Sequence, residues 1–598
     1  MACVSTQAPK TKRPLIRSAR LWVPVGILLA IIVAVIGLVV VGNVLAKRAF
    51  AAKDSLEAAI PLAEKTQQLI AAGDTEGAKA AAAELGAYAA EARTQTNGRL
   101  WRAVEWVPVA GPNLHAVRVA SAAVDDLVAG AVVPATQLSL DALKPKDGAI
   151  DVAAVQQLAT IVEDASDTVQ QVSTDLDTID RGALIEQVES GVLKLEDAVA
   201  KIEPALTAAD TTLQLLPGAL GAEGPRNYLM LFQNNAEARG AGGNPAAILL
   251  VNVTDGRISI AQQASSTDFQ NARPTPVTEL NPETTALYGD KVGRYMQDIM
   301  LTPDFTESAD IMRAWWAESF GTPIDAVVSF DPVGLGYLLG ATGPVTLPTG
   351  EQLTADNAAS EVLNRVYFRF DDPEEQDAYF ASVAASVFQV VSSGAGDSRS
   401  LVEALVRAVD EGRLMYSPSD PEEAEYIAET RIAGVPPVDN SERTAVGVYV
   451  DDITEGKLDY YAKLGIEATS DQCTAAAPTF TTTTTFTSTL DPAAVDDLAE
   501  YISPARFFPK GWISTDLVLY GPVGSSFASV TVDGAPAAPA VQPHLGRPAV
   551  KVNIVNPPGT AHTVVATFTG AAGDYGPLEV WHTPMVQPTD VTITTPGC

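Results

Sequence analysis

Residues 226–260 read RNYLMLFQNNAEARGAGGNPAAILLVNVTDGRISI. Two apolar runs, NYLMLF and AAILLVNV, are bounded by Asn, Gly and Asp, the pattern of buried strands between turns. Between them lies the polar stretch QNNAEARGAGGN, read as a Gly-rich loop, and after them a TDG turn leads to a third short strand, RISI. Helical spacing returns at Glu307–Phe320, followed by the strand IDAVVSF, the helix-like DPVGLGYLLGAT, the segment GPVTLP and a helix opened by Asp356-Asn357. Strands and helices in this alternation predict an α/β layer domain over residues 216–440.

Upstream, residues 47–215 are rich in Ala, Leu, Val and Glu. Val155, Leu158, Val162, Ala165, Val169, Val172, Leu176 and Ile179 step by three and four residues, and Ile185, Val188, Val192, Leu195, Val199, Ile202 and Leu206 repeat the pattern after Arg181-Gly182. One apolar seam per helix is the mark of coiled coils and antiparallel bundles, so this region is expected to be a helical stalk or bundle with its turn at Gly182. Pro204 is expected to kink the second helix. Trp101 and Trp106 interrupt an earlier helical pair and are expected to pack inside, with a place at the membrane interface as the alternative reading. Downstream, residues 441–598 are β-rich. VGVYV, LDYYAKLGIEA, TFTTTTTFTSTL and WISTDLVLYGP alternate or carry β-branched residues between turns, which predicts a β-sandwich in which Thr481–Thr485 is an ordinary strand.

No ionisable side chain occurs from Leu21 to Ala46, a length sufficient for the ~30 Å hydrocarbon layer. Lys10, Lys12, Arg13, Arg17 and Arg20 precede it without an acid. The expectation is a single-pass signal-anchor at residues 21–46, a cytoplasmic basic tail at 1–20, and an extracytoplasmic body at the plasma membrane. The formal charge of −34 excludes nucleic acid as a partner through any broad positive field. Three cysteines occur: Cys3 is expected to stay a free thiol, and Cys473 and Cys598 to form a disulfide in an oxidising compartment. His115, His544, His562 and His582 are scattered without metal-ligand spacing, and no phosphate loop, dinucleotide fingerprint or nucleophile elbow occurs.

Asn227–Arg239 with Gly242-Gly243 resembles the opening motif of the domain-of-unknown-function family four-zero-one-two, found in actinobacteria and other envelope-building bacteria. Thr302-Pro303-Asp304-Phe305, Ile324–Val328, Ala341–Val345 and Lys457–Tyr461 match it too, so the likeness is expected to run to the C-terminus. The order of elements also resembles, more faintly, the LytR-CpsA-Psr family, which transfers polyprenyl-diphosphate-linked glycans to the cell wall. That likeness implies a diphosphate clamp in which Glu237 and Arg239 stand in the acidic-plus-Arg loop and Arg369 is the first arginine of a pair. The transferases' next element is replaced here by Gly242-Gly243-Asn244, and the second arginine by Asp371. With those groups missing, phosphoryl-type transfer loses much of its charge stabilisation.

The candidate ligand-binding residues are therefore Asn235, Glu237, Arg239 and Arg369. Arg239 is read either as an anion grip or as an ion-pair partner of Glu237. Gly242 and Gly243 are expected to serve backbone geometry, Asp304 to cap a helix, and Asp325 to be structural. The sequence predicts a membrane-anchored cell-envelope protein binding a polyprenyl-linked or wall glycan with little or no catalysis and no cofactor. Two alternatives stay open: a structural or interaction scaffold for other envelope proteins, and a transferase that would require Mg.

Overall fold

The computed structural model describes residues 19–137, 143–146 and 148–598, with side chains of the first helix described from residue 39 onward, residue 71 excepted. The chain combines α and β parts and divides into two compact units, residues up to 139 with 157–213, and residues 140–156 with 214–598. Both the expected α/β region and the expected β region fall in the second.

The first unit is helical. α1 (Ala19–Ala71) turns back at Gly73 into α2 (Thr75–Thr96), whose start is capped by Asp74 accepting from the Gly77 amide (2.9 Å). The buried face of α2 is built from Ala78, Ala81, Ala82, Leu85, Ala89 and Ala92, small enough to let α1 approach closely. The helix Ala110–Leu127 supplies Ala116, Val119 and Ala123 to a seam with Val169, Val172, Leu176, Ile179, Val192 and Val199. All but Ile179, which lies just past the first, come from the helices Val152–Asp177 and Glu186–Ala219, joined by a short turn at Arg181–Ala183 around Gly182. The second of them runs on through Pro204 without a break. Trp101 is buried as expected, but Trp106 is not.

Among the described residues no helix is long and apolar enough to cross a membrane. Of the expected transmembrane span at 21–46, the side chains of residues 21–38 lie outside the described residues, as do the basic tail and Cys3.

In the second unit the first sheet has the order β3-β2-β1-β4 followed by the strand Leu414–Pro418, with β1 Arg226–Arg239, β2 Gly242–Thr254, β3 Arg257–Ser265 and β4 Ala326–Phe330. β1 and β4 run parallel, and the other pairings are antiparallel. Turns as short as Gly240-Ala241 and Asp255-Gly256 permit only hairpins, so the sheet is mixed, not the parallel layer that strand–helix alternation suggests. Asp325 pins its edge by accepting from the Asn227 amide (2.7 Å). Two further sheets follow. One centres on Thr479–Ser488, flanked by Ala462–Ser470 and Ala561–Thr569; the other centres on Ile513–Tyr520, flanked by Thr444–Asp452 and Arg547–Asn556. They face each other across one apolar core in which Phe480, Phe486 and Phe568 meet Val448, Leu517 and Val550. The strand Thr444–Asp452 is buried along its whole length. Val446, Val448 and Val450 enter that core, while Ala445 and Tyr449 enter a second one with Trp315, Trp316 and Leu229. The Cys473–Cys598 disulfide forms, with Cα atoms 5.3 Å apart.

Candidate functional site

The polar stretch after Phe232 is not a loop. β1 continues through it to Arg239, pairing with β2 up to Asn234 and again at Ala238 and Arg239, with an irregularity in between that frees the backbone from β2. The turn is reduced to Gly240-Ala241. The sequence suggests a Gly-rich loop with Asn235, Glu237 and Arg239 open to a ligand, whereas in the structure these side chains and the backbone beside them are tied to distant segments. Asn234 donates to the Tyr367 hydroxyl (2.8 Å), and Asn235 donates to Asp331 (3.0 Å) and to the Pro584 carbonyl (2.8 Å). The amide of Ala238 donates to Asp459 (2.9 Å) and that of Gly240 to Asp451 (2.9 Å).

Glu237 and Arg239 form the centre of a buried ionic network. Arg239 donates to Glu237 (2.9 Å) and to the Ala238 carbonyl (2.9 Å), and its Nε lies 3.4 Å from Asp298. Glu237 also pairs with Lys457 and accepts from Asn244 (3.0 Å). Burial alone would raise the Glu237 carboxyl, but the charges of Lys457 and Arg239, aided by the Asn244 amide, hold it down at about 2. Burial likewise opposes the charge on Arg239, and Glu237, Asp298, Asp452 and Asp451 more than restore it. The neighbouring aspartates go the other way. Burial pushes Asp451 and Asp459 up to about 7 each, and raises Asp452 as well, with Asp459 adding to the effect. Asp452 Oδ2 and Asp459 Oδ1 have no hydrogen-bond partner, in keeping with carboxyls that hold a proton.

A second buried pair adjoins the first through Asn235. Arg413 donates to Asp331 (2.7 Å), to Glu411 (2.6 Å) and to the Met585 carbonyl (3.1 Å). Asp331 also caps the helix Pro332–Thr342 by accepting from the Gly334 amide (2.7 Å). Burial raises the Asp331 carboxyl, and Arg413 opposes that rise.

Of the residues singled out in the sequence, Asn235, Glu237 and Arg239 thus lie in one continuous polar core. Arg369 has other partners: Glu351 (2.6 Å) and Glu361 (3.0 Å), with its guanidinium over the Tyr379 ring at 5.5 Å. Gly242 adopts φ +136°, and a Cβ there would strike the Gln233 side chain; a Cβ at Gly243 would strike the Asn234 backbone. Asp304 accepts from the Glu307 amide (3.1 Å) at the start of the helix Phe305–Ser319.

Lys457, Asp459, Asp451, Asp452, Asp331 and Arg413 were not singled out as site residues. Lys457–Tyr461 was noticed as a family motif, and the co-occurrence of that motif with Asn227–Arg239 was the available sign that the two touch.

A cleft of about 50 Å³ beside Gly240-Ala241 is lined by Met415, Arg431, Tyr449 and Trp581 among others. It has room for a water or so, against roughly 300–1,000 Å³ for a small-molecule site. Among the described residues no group of three or more His, Cys, Asp or Glu is placed to hold a metal ion. The carboxylates around Glu237 face a guanidinium and an ammonium, a donor set unlike the open oxygen cage that Mg requires.

Residues 223–367 match the model of a family described as "Protein of unknown function (DUF4012)". The match ends before Lys457–Tyr461. No curated protein matches the chain. Among solved structures, a Legionella pneumophila protein provisionally described as nutrient-binding aligns with 10% identity and a TM-score of 0.14, over 22% of this chain and 45% of that one, a likeness too slight to carry an argument. The comparisons thus find a likeness to the DUF4012 family over residues 223–367, a stretch that opens with β1 and β2.

Proposed function

We propose that the chain is a membrane-anchored, extracytoplasmic envelope protein whose second unit is a rigid scaffold for other envelope proteins. One observation carries this reading: the polar side chains of Asn234–Arg239 are committed to Tyr367, Asp331, Lys457 and Asp298 inside the protein. A recognition loop would keep such groups available to a ligand, whereas a scaffold uses them to fix one layer against another. The anchor rests on the uncharged residues 21–46 behind their basic leader. The disulfide suits the oxidising side of a membrane.

The opposed reading places a polyprenyl diphosphate or wall glycan on Arg239 and Arg369, in the manner of the LytR-CpsA-Psr family. It needs both guanidinium groups on one anion, and their ion-pair partners are different carboxylates. Titration of the full-length protein in nanodiscs with a prenyl diphosphate, followed by calorimetry, separates the two. The scaffold reading expects no saturable heat, together with a discrete protein adduct from a photo-crosslinker placed at Phe507, which is 84% exposed. Saturable binding that disappears in a folded Arg369→Ala variant would overturn it.

A further inference from the structure

The helical unit has an apolar, basic tip that is left out of its cores. α2 runs back along α1, and a Cβ placed on Gly98 would lie 2.7 Å from the Arg48 guanidinium, next to the end of the uncharged stretch 21–46. The chain then travels further in the same direction. The helix Ala110–Leu127 returns beside α2, with Asp125 and Asp126 both held by Arg93. From Asp125 back to Ala110 is about 22 Å at ~1.5 Å per residue, whereas Arg93 to Gly98 covers only ~8 Å. The loop before Ala110 therefore stands beyond the level of Arg48, alongside the uncharged stretch itself. The Arg181–Ala183 turn is at the same end, since Asn113 donates to the Ala183 carbonyl (3.3 Å) and accepts from the Ile185 amide (2.8 Å).

This end shows large apolar side chains, beside the exposed Asp180, Arg181 and Glu186 of the neighbouring turn. Trp106 is 80% exposed, Val109 78% and Ile185 51%, while Trp101 close by is buried and donates its indole N–H to the Leu114 carbonyl (2.9 Å). The loop is tightly ordered. Glu105 accepts twice from Arg118 (2.6 and 3.2 Å), and Gly111 donates to the Val107 carbonyl (2.7 Å). Val109 is held at φ +70°, a costly conformation for a β-branched residue. An ordered loop that presents Trp outward in this way is built for a surface, not left over from a core. Residues 97–118 carry Arg99, Arg102 and Arg118 against one acid, Glu105, which is already paired, so this loop is basic although the turn beside it carries Asp180 and Glu186 against Arg181.

We propose that this tip, with Trp106, Pro108, Val109 and Ile185 inserted and Arg99 and Arg102 above them, sits in the headgroup region of an anionic lipid bilayer. Trp belongs at that depth because its ring is apolar and its N–H polar. Arginines beside it meet the phosphates of anionic lipids. The helical unit is then fastened to the membrane at two places, the spanning segment and this loop. The inference rests on the reading that residues 21–46 span the bilayer.

The test uses the full-length chain with Cys3→Ser and Val109→Cys, labelled with NBD and reconstituted into phosphatidylcholine–phosphatidylglycerol vesicles. A second preparation carries Pro108→Cys instead, which guards against a local effect of altering Val109. The label at either position is expected to shift its emission to the blue and to be quenched by doxyl lipid, while the same label at Glu76→Cys, at the far end of the α1–α2 hairpin, stays as in water. Alkaline extraction of the same vesicles reports on the anchor independently. Protein that resists extraction but whose labels at 108 and 109 stay water-like and unquenched would overturn the tip and keep the anchor. Protein released by alkali would overturn both.

Discussion

In the helical unit ion pairs such as Lys53–Glu57 and Lys79–Glu76 lie on exposed helix faces, and the interior is Ala, Val and Leu. In the second unit Arg239, Lys457, Asp459, Asp331 and Arg413 lie buried, each held by groups far away in sequence. The two regions teach different things about specificity. An apolar seam is non-directional and tolerates small shifts of one helix along another. A buried ionic network has one geometry in which every group is matched, and losing a member strands the rest. Such a network adds little net stability compared with a well-packed apolar core, but it dictates how the first sheet meets the strands that follow it.

The largest way to separate the two units is through the Cys473–Cys598 bridge, which closes a loop wholly within the second one, across 125 residues of sequence. Opening it with a reductant, or by Cys473→Ser with Cys598→Ser, should lower the stability of that unit by about 4–5 kcal/mol in the chain-entropy model. Urea unfolding followed by tryptophan fluorescence should show the loss, and the helical transition seen by circular dichroism should stay where it was. Next comes Arg239→Ala. It leaves Glu237 with Lys457 as its one charged partner, removes the ion-pair partner of Asp298 and takes a donor from the Asp452 carbonyl. Breaking a buried pair from one side costs about 3–5 kcal/mol, and the same urea experiment should report it. A change of similar size in the helical transition would mean that the two regions are not energetically distinct.

How much of this was legible in the sequence follows the same division. The helical hairpin around Gly182 could be read because helix packing obeys a local period, and Val169, Val172 and Leu176 declare it within about two turns. The apolar halves of β1 and β2 could be read for the same reason. The polar half of β1 could not, because Asn235 owes its burial to Asp331 and to Pro584, which lies at the other end of the chain. Local composition makes QNNAEARG a loop; only partners supplied by tertiary structure make it a strand. Arg239 and Arg369 were joined in the sequence by likeness to a clamp, and nothing local distinguishes a guanidinium that meets a ligand from one that meets a neighbouring carboxylate. Of the two roles the sequence leaves open for Arg239, the structure contains the geometry of the ion pair with Glu237.

The buried aspartates give the contrast a pH dependence. Asp451 is raised to about 7, against roughly 3.9 in an unfolded chain. The folded state therefore holds more protons between those values, and the stability of the second unit falls as pH rises through about 4 to 7, by a few kcal/mol. Glu237, lowered to about 2, works in the opposite sense: the stability it contributes is present above its unfolded value near ~4.3 and is lost as pH falls toward 2. The second unit should be most stable in mild acid. Asp451→Asn should flatten the slope between pH ~4 and ~7, measured as urea midpoints across that range. The helical unit, whose interior is Ala, Val and Leu, should show little such slope.

The smallest effect makes the sharpest comparison, because it concerns the same residue type as Arg239. Arg369 makes two ion pairs by geometry, as many as Arg239. Yet its side chain is 32% exposed, and Glu351 beside it is more exposed still. In water-accessible surroundings each pair is worth ~0–1 kcal/mol, since solvent screens the attraction and ordering two long side chains opposes it. Glu361, the more buried partner, keeps Arg365 at 2.8 Å when Arg369 is gone, so no charge is stranded. Arg369→Ala should therefore shift the urea midpoint of the second unit barely at all, against several kcal/mol for Arg239→Ala. Raising the salt concentration should erase what little difference remains at Arg369, because exposed pairs are screened and buried ones much less so. Equal losses at the two arginines would show that burial is not what sets them apart.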